Sequence, residues 1–307
     1  MKKLFIALFI SALTISGVPA VVADAPPSIA IIDTGMNVPL FKDSIVYEVC
    51  LISSGKCPNG KLTMEGPGAA NLPTTSNKTF DHGTQMASVA LKVNPGAKII
   101  PIRIVGMLPS GAPNFYSLSD VQVAFEWIVA NRIKYNIAVV SLAQGGIMAG
   151  CKVPTGMAAS IATLKTANVP VVTAVGNNGN HTDVFAPACL TDTVAVGATD
   201  NPDPGVAGIA FDPKATPYIA RYSNGANGQT DFFLNARWYA TMLNGSTKFT
   251  VGTSNATAAL AGWWLLNRKA TFDETFNALM ATTIEIKNEF QTGRYITIDS
   301  LTMGNNR

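Results

Sequence analysis

Few side chains in this sequence can act as an acid or a base near neutral pH, and the composition excludes several common partners. The 307 residues include two histidines and four cysteines, only 13% are charged, and the formal net charge is +3. The basic residues are scattered, which excludes the charged patch typical of nucleic-acid binding. The cysteines lack the spacing of a zinc site. Hydrophobic residues make up 48% of the chain, so a sizeable core can form.

The sequence also lacks the motifs of three other classes of protein. It contains one Asp-Thr-Gly triplet, at residues 33–35, whereas an aspartic protease needs two such loops or a small homodimer. The Gly-Asn-Asn-Gly loop at residues 176–179 has neither the glycine pattern nor the lysine of a phosphate-binding loop. The serine motif at residues 252–256 is Gly-Thr-Ser-Asn-Ala, which differs from the Gly-x-Ser-x-Gly of α/β-hydrolases.

The N-terminus has the pattern of a secretory signal. Two lysines precede an apolar run at residues 4–15, and small residues typical of cleavage sites follow. The alternative is an uncleaved membrane anchor, but Gly17 and Pro19 interrupt the apolar stretch and favour cleavage. We therefore predict a signal peptide over residues 1–25, no stable membrane anchor, and a secreted or periplasmic protein.

Export would place the four cysteines in an oxidising compartment, which favours disulfide bonds. Four cysteines allow three connectivities. Cys50 and Cys57 flank a short, turn-like loop that could close on itself, and Cys151 and Cys189 would then pair across a longer segment.

Apolar runs alternate with segments of helical periodicity along the chain. Strands are predicted at residues 28–32, 98–105, 137–143, 169–175, 193–198 and 295–298. Helices are predicted to begin near residues 82, 120, 156, 254 and 273, with Asp120 as the cap of the second. This alternation is typical of an α/β fold with a mostly parallel central sheet and helices on both faces. We see no internal repeat and predict a single domain over residues 26–307.

Four polar residues stand where a parallel sheet would bring them together. Asp33 and Asn177 follow predicted strands, and His82 and Ser254 open predicted helices. A serine at a helix start lies beside unpaired backbone N–H groups and a partial positive charge, which suit a developing oxyanion. Its hydroxyl needs a neighbouring base, and His82 is the better candidate because His181 lies in a polar turn.

Three motifs carry a resemblance to a known family: Asp33-Thr34-Gly35, His82-Gly83-Thr84 and the serine motif at residues 252–256. In the order Asp, His, Ser they resemble the subtilisin-like serine proteases, over residues 29–266. The resemblance implies a three-layer subtilisin-like fold and an exported serine endopeptidase that forms an acyl-enzyme. It implies that Ser254 is the nucleophile, His82 the general base, Asp33 the group that orients the imidazole, and Asn177 the oxyanion-hole amide.

The resemblance also implies how peptide or protein substrates bind. The expected substrate-binding residues form three segments, which are Ser141-Leu142-Ala143, the facing pocket wall Ala174-Val175-Gly176, and the second backbone edge Ser110-Gly111-Ala112. The walls are apolar with no acidic residue evident, so an apolar or aromatic residue is expected before the cleaved bond. Similarity to a disulfide of some subtilases supports pairing Cys151 with Cys189 and Cys50 with Cys57.

The sequence departs from the family pattern at several positions. Gln85 stands where a second histidine is common, and Asn255, Ala258 and Ala259 replace the methionine, proline and histidine expected after the serine. Ala143 replaces a common glycine, so an added methyl group narrows the pocket entrance. These departures keep a second reading open, a catalytically weak or inactive peptide-binding protein on the same scaffold.

Further expectations concern metals, cofactors, a pro-domain and the oligomeric state. The helix after His82 runs directly into the turn at residues 94–96 and lacks the calcium loop of bacterial subtilisins, so no calcium is expected there, although calcium elsewhere stays open. No other cofactor and no metal ligand set is expected. Asp33 follows the cleavage sites so closely that no N-terminal pro-domain is expected. The protein is expected to be a monomer.

Overall fold

The computed structural model describes residues 25–200, 217–225 and 228–296. The helices in these ranges are α1 (Asp81–Val93), α2 (Leu118–Asn131), α3 (Thr155–Thr166), α4 (Thr253–Asn267) and α5 (Phe272–Met280), with 3₁₀ turns at Val38–Phe41, Lys78–Phe80 and Ala149–Cys151. None of the helices in these ranges is long and apolar enough to cross a bilayer. The predicted signal peptide lies outside the described residues, except for Ala25.

Eleven strands of the described chain form one twisted sheet, in the order β16-β17-β13-β11-β9-β7-β1-β4-β2-β3, with β12 beside β11. The strands are β1 (Ser28–Asp33), β2 (Val49–Leu51), β3 (Thr63–Glu65), β4 (Lys98–Arg103), β5 (Gly106–Met107), β6 (Pro113–Asn114), β7 (Ile137–Leu142), β8 (Gly146–Ile147), β9 (Val171–Ala174), β10 (Phe185–Ala186), β11 (Val194–Asp200), β12 (Tyr218–Ile219), β13 (Phe232–Asn235), β14 (Arg237–Thr241), β15 (Thr247–Val251), β16 (Ile284–Lys287) and β17 (Thr292–Tyr295). The run from β17 to β2 is parallel throughout.

Apolar cores cover both faces of this sheet, which confirms the three-layer α/β prediction. Alternate residues of β1 enter different cores: Ile29 and Ile31 pack with α1, α4 and α5, whereas Ala30 and Ile32 pack with α2 and α3. Because side chains alternate across a strand, one uninterrupted apolar run serves both faces. A continuous apolar strand is therefore the expected signature of the sheet centre.

The serine helix α4 packs very closely against α1. A run of small residues (Ala256, Ala258, Ala259 and Ala261) is almost completely buried along it. Where the helices meet, a methyl group on Gly262 would lie 2.5 Å from the Ala90 carbonyl oxygen. Close packing of this kind gives α4 a fixed depth in the core and therefore sets the position of its first turn.

Several local predictions differ from the structure. The cap of α2 is Ser117, and Asp120 completes a capping box because each side chain bonds the other residue's backbone N–H. The strand predicted at residues 295–298 is β17, which ends at Tyr295, while residues 297–298 lie outside the described ranges. The hairpins β2–β3 and β14–β15 were not predicted, because short strands with exposed residues have little apolar periodicity.

Two disulfide bonds tie the loops to this framework. Cys50 is joined to Cys57 and Cys151 to Cys189, the pairing that the resemblance implies. The first closes the loop after β2. The second links the turn after β8 to the segment after β10, two short strands that pair with each other.

We predict that Gly262→Ala destabilises the protein by about 1–2 kcal/mol. The added methyl group meets the backbone oxygen of Ala90, which cannot rotate away, and this overpacking exceeds the gain in helix propensity of about 1 kcal/mol. Urea unfolding of both proteins measures the change. Gly96→Ala is the matched control, because its methyl group would approach nothing closer than 3.7 Å. A Gly262→Ala protein at least as stable as the parent would contradict the prediction.

Candidate active site

Asp33 is the last residue of β1 and its carboxylate is buried, with 1% of the residue exposed. Its Oδ1 accepts a hydrogen bond from the Thr34 backbone N–H (2.7 Å) and another from Gln144 Nε2 (3.2 Å). Both carboxylate oxygens accept from His82 Nδ1, at 2.8 and 2.9 Å. A buried carboxylate is costly unless it has such donors, so these hydrogen bonds compensate for the burial of Asp33.

The start of α1 is locked onto the turn that follows Asp33. Thr34 Oγ1 accepts from the Gly83 backbone N–H (3.0 Å) and donates to the Phe80 carbonyl (3.2 Å). A methyl group on Gly83 would lie 2.0 Å from the Gly35 carbonyl oxygen, so only glycine fits there. The triplets at residues 33–35 and 82–84 therefore each supply one catalytic-type side chain. Their other residues bring the two backbones into contact.

His82 is the second residue of α1, and its imidazole borders the cleft with 27% of the side chain exposed. Because Nδ1 donates to Asp33, Nε2 is the nitrogen left for the cleft. Burial lowers the pKa of His82, but the charge of Asp33 and its hydrogen bond to the imidazole outweigh burial, so the pKa is raised. The pair therefore stabilises an imidazolium, as a general base requires.

Ser254 lies in the first turn of α4, directly after a sharp backbone turn. Gly252 precedes the helix at φ +153°, a conformation that favours glycine. The Ser254 hydroxyl donates to the Ala143 carbonyl oxygen at 3.2 Å and makes no hydrogen bond to His82, although both side chains border the same cleft. A rotation about χ1 is the movement that would redirect the hydroxyl.

Asn177 is anchored on the residue before Ser254. Its Oδ1 accepts from the backbone N–H of Thr253 (2.9 Å) and from the Thr253 hydroxyl (3.1 Å). A backbone N–H is always a donor, so the side-chain atom that faces the Thr253 N–H must be the amide oxygen of Asn177. The amide nitrogen Nδ2 is then left unused beside the cleft. Asn224 supports the loop, because its Oδ1 accepts from the backbone N–H groups of Asn178 and Asn180.

These residues surround a cleft of about 270 Å³ at the C-terminal edge of the sheet. Its lining is Thr34, Thr79, His82, Val105, Phe115, Ala143, Gln144, Gly145, Ala174, Asn177, Phe185, Thr253 and Ser254. The fold therefore brings His82, Asn177 and Ser254 to one surface, with Asp33 behind His82.

The structure places the expected substrate-binding residues unevenly. Ala143 and Ala174 line the cleft, but Ser141, Leu142 and Val175 are buried within the sheet. Gly176 lies beneath the ring of Phe185.

The segment 110–112 does not line the cleft as expected; it forms the tip of the β5–β6 hairpin. There the backbone N–H of Leu108 donates to the Ala112 carbonyl (2.9 Å), and that of Gly111 donates to the Leu108 carbonyl (2.9 Å). The Gly111 N–H and the Ala112 carbonyl are therefore used within the hairpin. Val105 and Phe115, which flank the hairpin, line the cleft instead.

Sequence reasoning missed Gln144 and Phe185, two side chains of the cleft. Gln144 bonds Asp33 and its Nε2 lies 2.9 Å from His82 Nδ1. Its position directly after the expected substrate segment was the available signal. Phe185 had no such signal, because it lies between a polar turn and a proline in an otherwise unremarkable stretch.

The residues that depart from the family pattern have their own contacts. Asn255 is 2% exposed, and its Nδ2 donates to the Ala236 carbonyl and to Thr250 Oγ1, both at 3.0 Å. These bonds tie the first turn of α4 to the β14–β15 hairpin. Gln85 Nε2 contacts Met242 Sδ at 3.4 Å.

A carboxylate–imidazole pair beside a serine hydroxyl at a helix N-terminus is the constellation of the nucleophilic serine enzymes. Residues 25–293 match the model of the subtilase family, and the chain belongs to that family.

Similar proteins agree with this assignment. The chain is 27% identical over 229 residues to an extracellular serine proteinase of Thermus sp. (strain Rt41A), covering 70% of this chain and 48% of that protein. The chain thus spans about half the length of this curated relative.

Solved structures show the same fold, which is subtilisin-like as expected. A protease from Pseudoalteromonas arctica PAMC 21717 superposes with a TM-score of 0.67 at 18% identity, covering 91% of this chain and 89% of that one. A cold-adapted subtilisin-like serine proteinase superposes with a TM-score of 0.61 at 18% identity, covering 88% and 87%.

We predict that His82 titrates above the ordinary histidine pKa of about 6.5, and that Asp33→Asn lowers its pKa below that value. Loss of the carboxylate charge leaves burial as the main influence, and burial disfavours the imidazolium. An NMR titration of the His181→Gln protein measures this directly, because His82 is then the only histidine. An Asp33→Asn exchange that leaves the His82 pKa unchanged would show that the pair is not electrostatically coupled.

Proposed function

We propose that this protein is an exported serine endopeptidase that hydrolyses peptide bonds through an acyl-enzyme intermediate, with Asp33, His82 and Ser254 as its catalytic triad. The proposal depends most on one observation. His82, held by Asp33 through Nδ1, borders the same cleft as Ser254 with its other nitrogen free. The family supports this reading, and so does the activity in the name of the Thermus relative.

In the proposed first step, the Ser254 hydroxyl turns from the Ala143 carbonyl toward His82 Nε2. Its oxygen attacks the scissile carbonyl carbon as His82 takes the proton, and Asp33 stabilises the imidazolium that forms. His82 then gives this proton to the leaving amine, the C–N bond breaks, and the acyl group remains on the serine oxygen. Water deprotonated by His82 hydrolyses that ester and regenerates the enzyme.

The negative charge that develops on the carbonyl oxygen would be held by two N–H donors. One is Asn177 Nδ2, which the Thr253 contacts to Oδ1 leave free beside the cleft. The other is the backbone N–H of Ser254, in the first turn of the helix, where N–H groups lack intrahelical partners. Donors that are fixed before the reaction stabilise the oxyanion without reorganisation.

An exported monomer is the form of the protein that we propose. The N-terminal signal pattern, the two disulfide bonds and the extracellular location in the name of the Thermus relative all support export. The substrates would be peptides or proteins, and the proposed reaction requires no cofactor and no nucleic acid. No metal ion takes part in any step.

The second candidate function is a weak or inactive peptide-binding protein on the same scaffold. The observation that favours it is the hydrogen bond of Ser254 to Ala143, where an active site would use a bond to His82. Against it stand the carboxylate–imidazole pair and an asparagine anchored on the residue before Ser254. Peptide binding alone requires neither group.

We predict that a fluorophosphonate probe labels Ser254 in the folded protein and that Ser254→Ala and His82→Ala abolish labelling. The probe reacts with a serine only when a base withdraws its proton, so labelling measures nucleophile activation without a known substrate. Mass spectrometry of the labelled peptide identifies the serine. Ser246→Ala, an exposed serine in the β14–β15 turn, is the control and should label like the parent. Absence of labelling in the folded parent would favour the peptide-binding protein.

We predict that Asn177→Leu lowers kcat by about 10²–10³-fold with a small change in KM, a range known from subtilisin, another member of this family. The Asn177 donor contributes mainly when the oxyanion forms, so its removal lowers kcat and leaves KM nearly unchanged. Rates on a peptide substrate measure this.

Asn177→Asp is the second variant, because it keeps an acceptor for Thr253, removes the N–H donor and adds a negative charge that repels the oxyanion, so kcat should fall here too. Asn178→Leu is the matched control, since Asn178 contacts Asn224 Oδ1 through its backbone N–H, which the substitution keeps. Near-normal kcat in Asn177→Asp would exclude the oxyanion role.

A further inference from the structure

The ring of Phe185 occupies a place that nothing in the sequence predicted. Phe185 lies in β10, which pairs antiparallel with β8 and places it opposite Ile147. Its backbone N–H donates to the Val175 carbonyl (2.9 Å), and its own carbonyl accepts from the Cys189 N–H (3.2 Å). The disulfide from Cys189 to Cys151 closes the same loop. Backbone contacts on both sides therefore hold this residue at the cleft.

Two glycines show where the ring lies. A methyl group on Gly176 would fall 2.6 Å from Phe185 Cε1 and 2.7 Å from Cδ1. A methyl group on Gly145 would fall 3.0 Å from Phe185 Cβ and 3.2 Å from Cδ2. The two sides of one aromatic ring thus face the chain after β7 and the chain after β9. The ring fills the gap between these walls because both lack side chains at the points of contact.

The chemistry of the proposed reaction places one substrate side chain in this gap. The leaving amine must face His82, which protonates it, and the carbonyl oxygen must face Asn177. The residue on the acyl side of the cleaved bond therefore points away from His82. Ala143, Ala174 and Phe185 line the same cleft, and the Phe185 ring lies against the glycines that follow β7 and β9.

We propose that Phe185 closes the pocket for the residue that precedes the cleaved bond, so that the enzyme accepts only small residues there, namely glycine, alanine and serine. This inference rests on the proposed function and names its substrate class. It replaces the expectation of an apolar or aromatic residue at that position. The methyl groups of Ala143 and Ala174 narrow the same space further. Packed interiors yield little to an oversized group, so a large side chain is excluded by overlap with the ring.

The test compares two p-nitroanilide peptides that differ only in alanine or phenylalanine before the cleaved bond. The parent should show a kcat/KM for the alanine peptide higher by about tenfold or more. Phe185→Ala removes the ring and should raise kcat/KM for the phenylalanine peptide by about tenfold or more, with little change for the alanine peptide. Phe249→Ala, a half-exposed phenylalanine outside the cleft, is the matched control and should keep the parent's ratio.

Fluorophosphonate labelling separates the two proposals, because the probe reports activation of Ser254 without a side chain in the pocket. An unlabelled parent means that the proposed function has failed. A labelled parent that cleaves the phenylalanine peptide as fast as the alanine peptide overturns the role of Phe185 alone. If Phe185→Ala does not fold, two other results decide. A parent that cleaves the phenylalanine peptide faster than the alanine peptide overturns the role of Phe185. A folded Phe185→Leu protein with the parent's ratio of kcat/KM for the two peptides overturns it as well.

Discussion

The carboxylate of Asp33, buried at the end of the central strand, is the constraint on which the site depends. An uncompensated charge there would cost several kcal/mol, so every neighbour that donates to it is fixed in place. His82 is one of those donors and Gln144 is another. The electrostatic requirement of one residue thus determines the orientation of the imidazole and the path of the chain after β7.

The backbone around Asp33 is constrained as tightly as its side chain. Thr34 bonds the first turn of α1, and Gly83 lets that turn approach Gly35 to a distance that no other residue permits. Because α1 then packs against α4 through Gly262, the distance from His82 to Ser254 follows from helix packing and requires no direct bond. The packing of the core therefore also sets the relative positions of the two helices that carry His82 and Ser254.

The other half of the site is organised by amide side chains. Asn177 fastens the loop after β9 to the start of α4, Asn224 supports that loop, and Asn255 ties the helix to the β14–β15 hairpin. Amides suit this task because each carries both donors and an acceptor, and none adds a charge beside the Asp33–His82 pair. The Ser254 hydroxyl, in the same turn of α4, donates to the Ala143 carbonyl.

Sequence alone predicted the layers of the fold and pointed to the polar side chains that the fold brings together at one cleft. Continuous apolar strands, helical periodicity and three short motifs sufficed, because each reflects a local requirement: burial on both faces, a cap, or a glycine at a close approach. The strongest example is the pair of triplets that contain Asp33 and His82, since their other residues are the ones that make the two turns fit.

Tertiary structure alone decided which residues shape the cleft. Phe185 lies about forty residues from Gly145, and its ring meets that glycine only because β8 and β10 pair. The segment 110–112 fits the pattern of a binding edge, yet its backbone groups are used within its own hairpin. Short motifs indicate which reactive side chains a chain has and how the backbone turns beside them. The space left for a substrate depends on side chains from segments that are distant in the sequence.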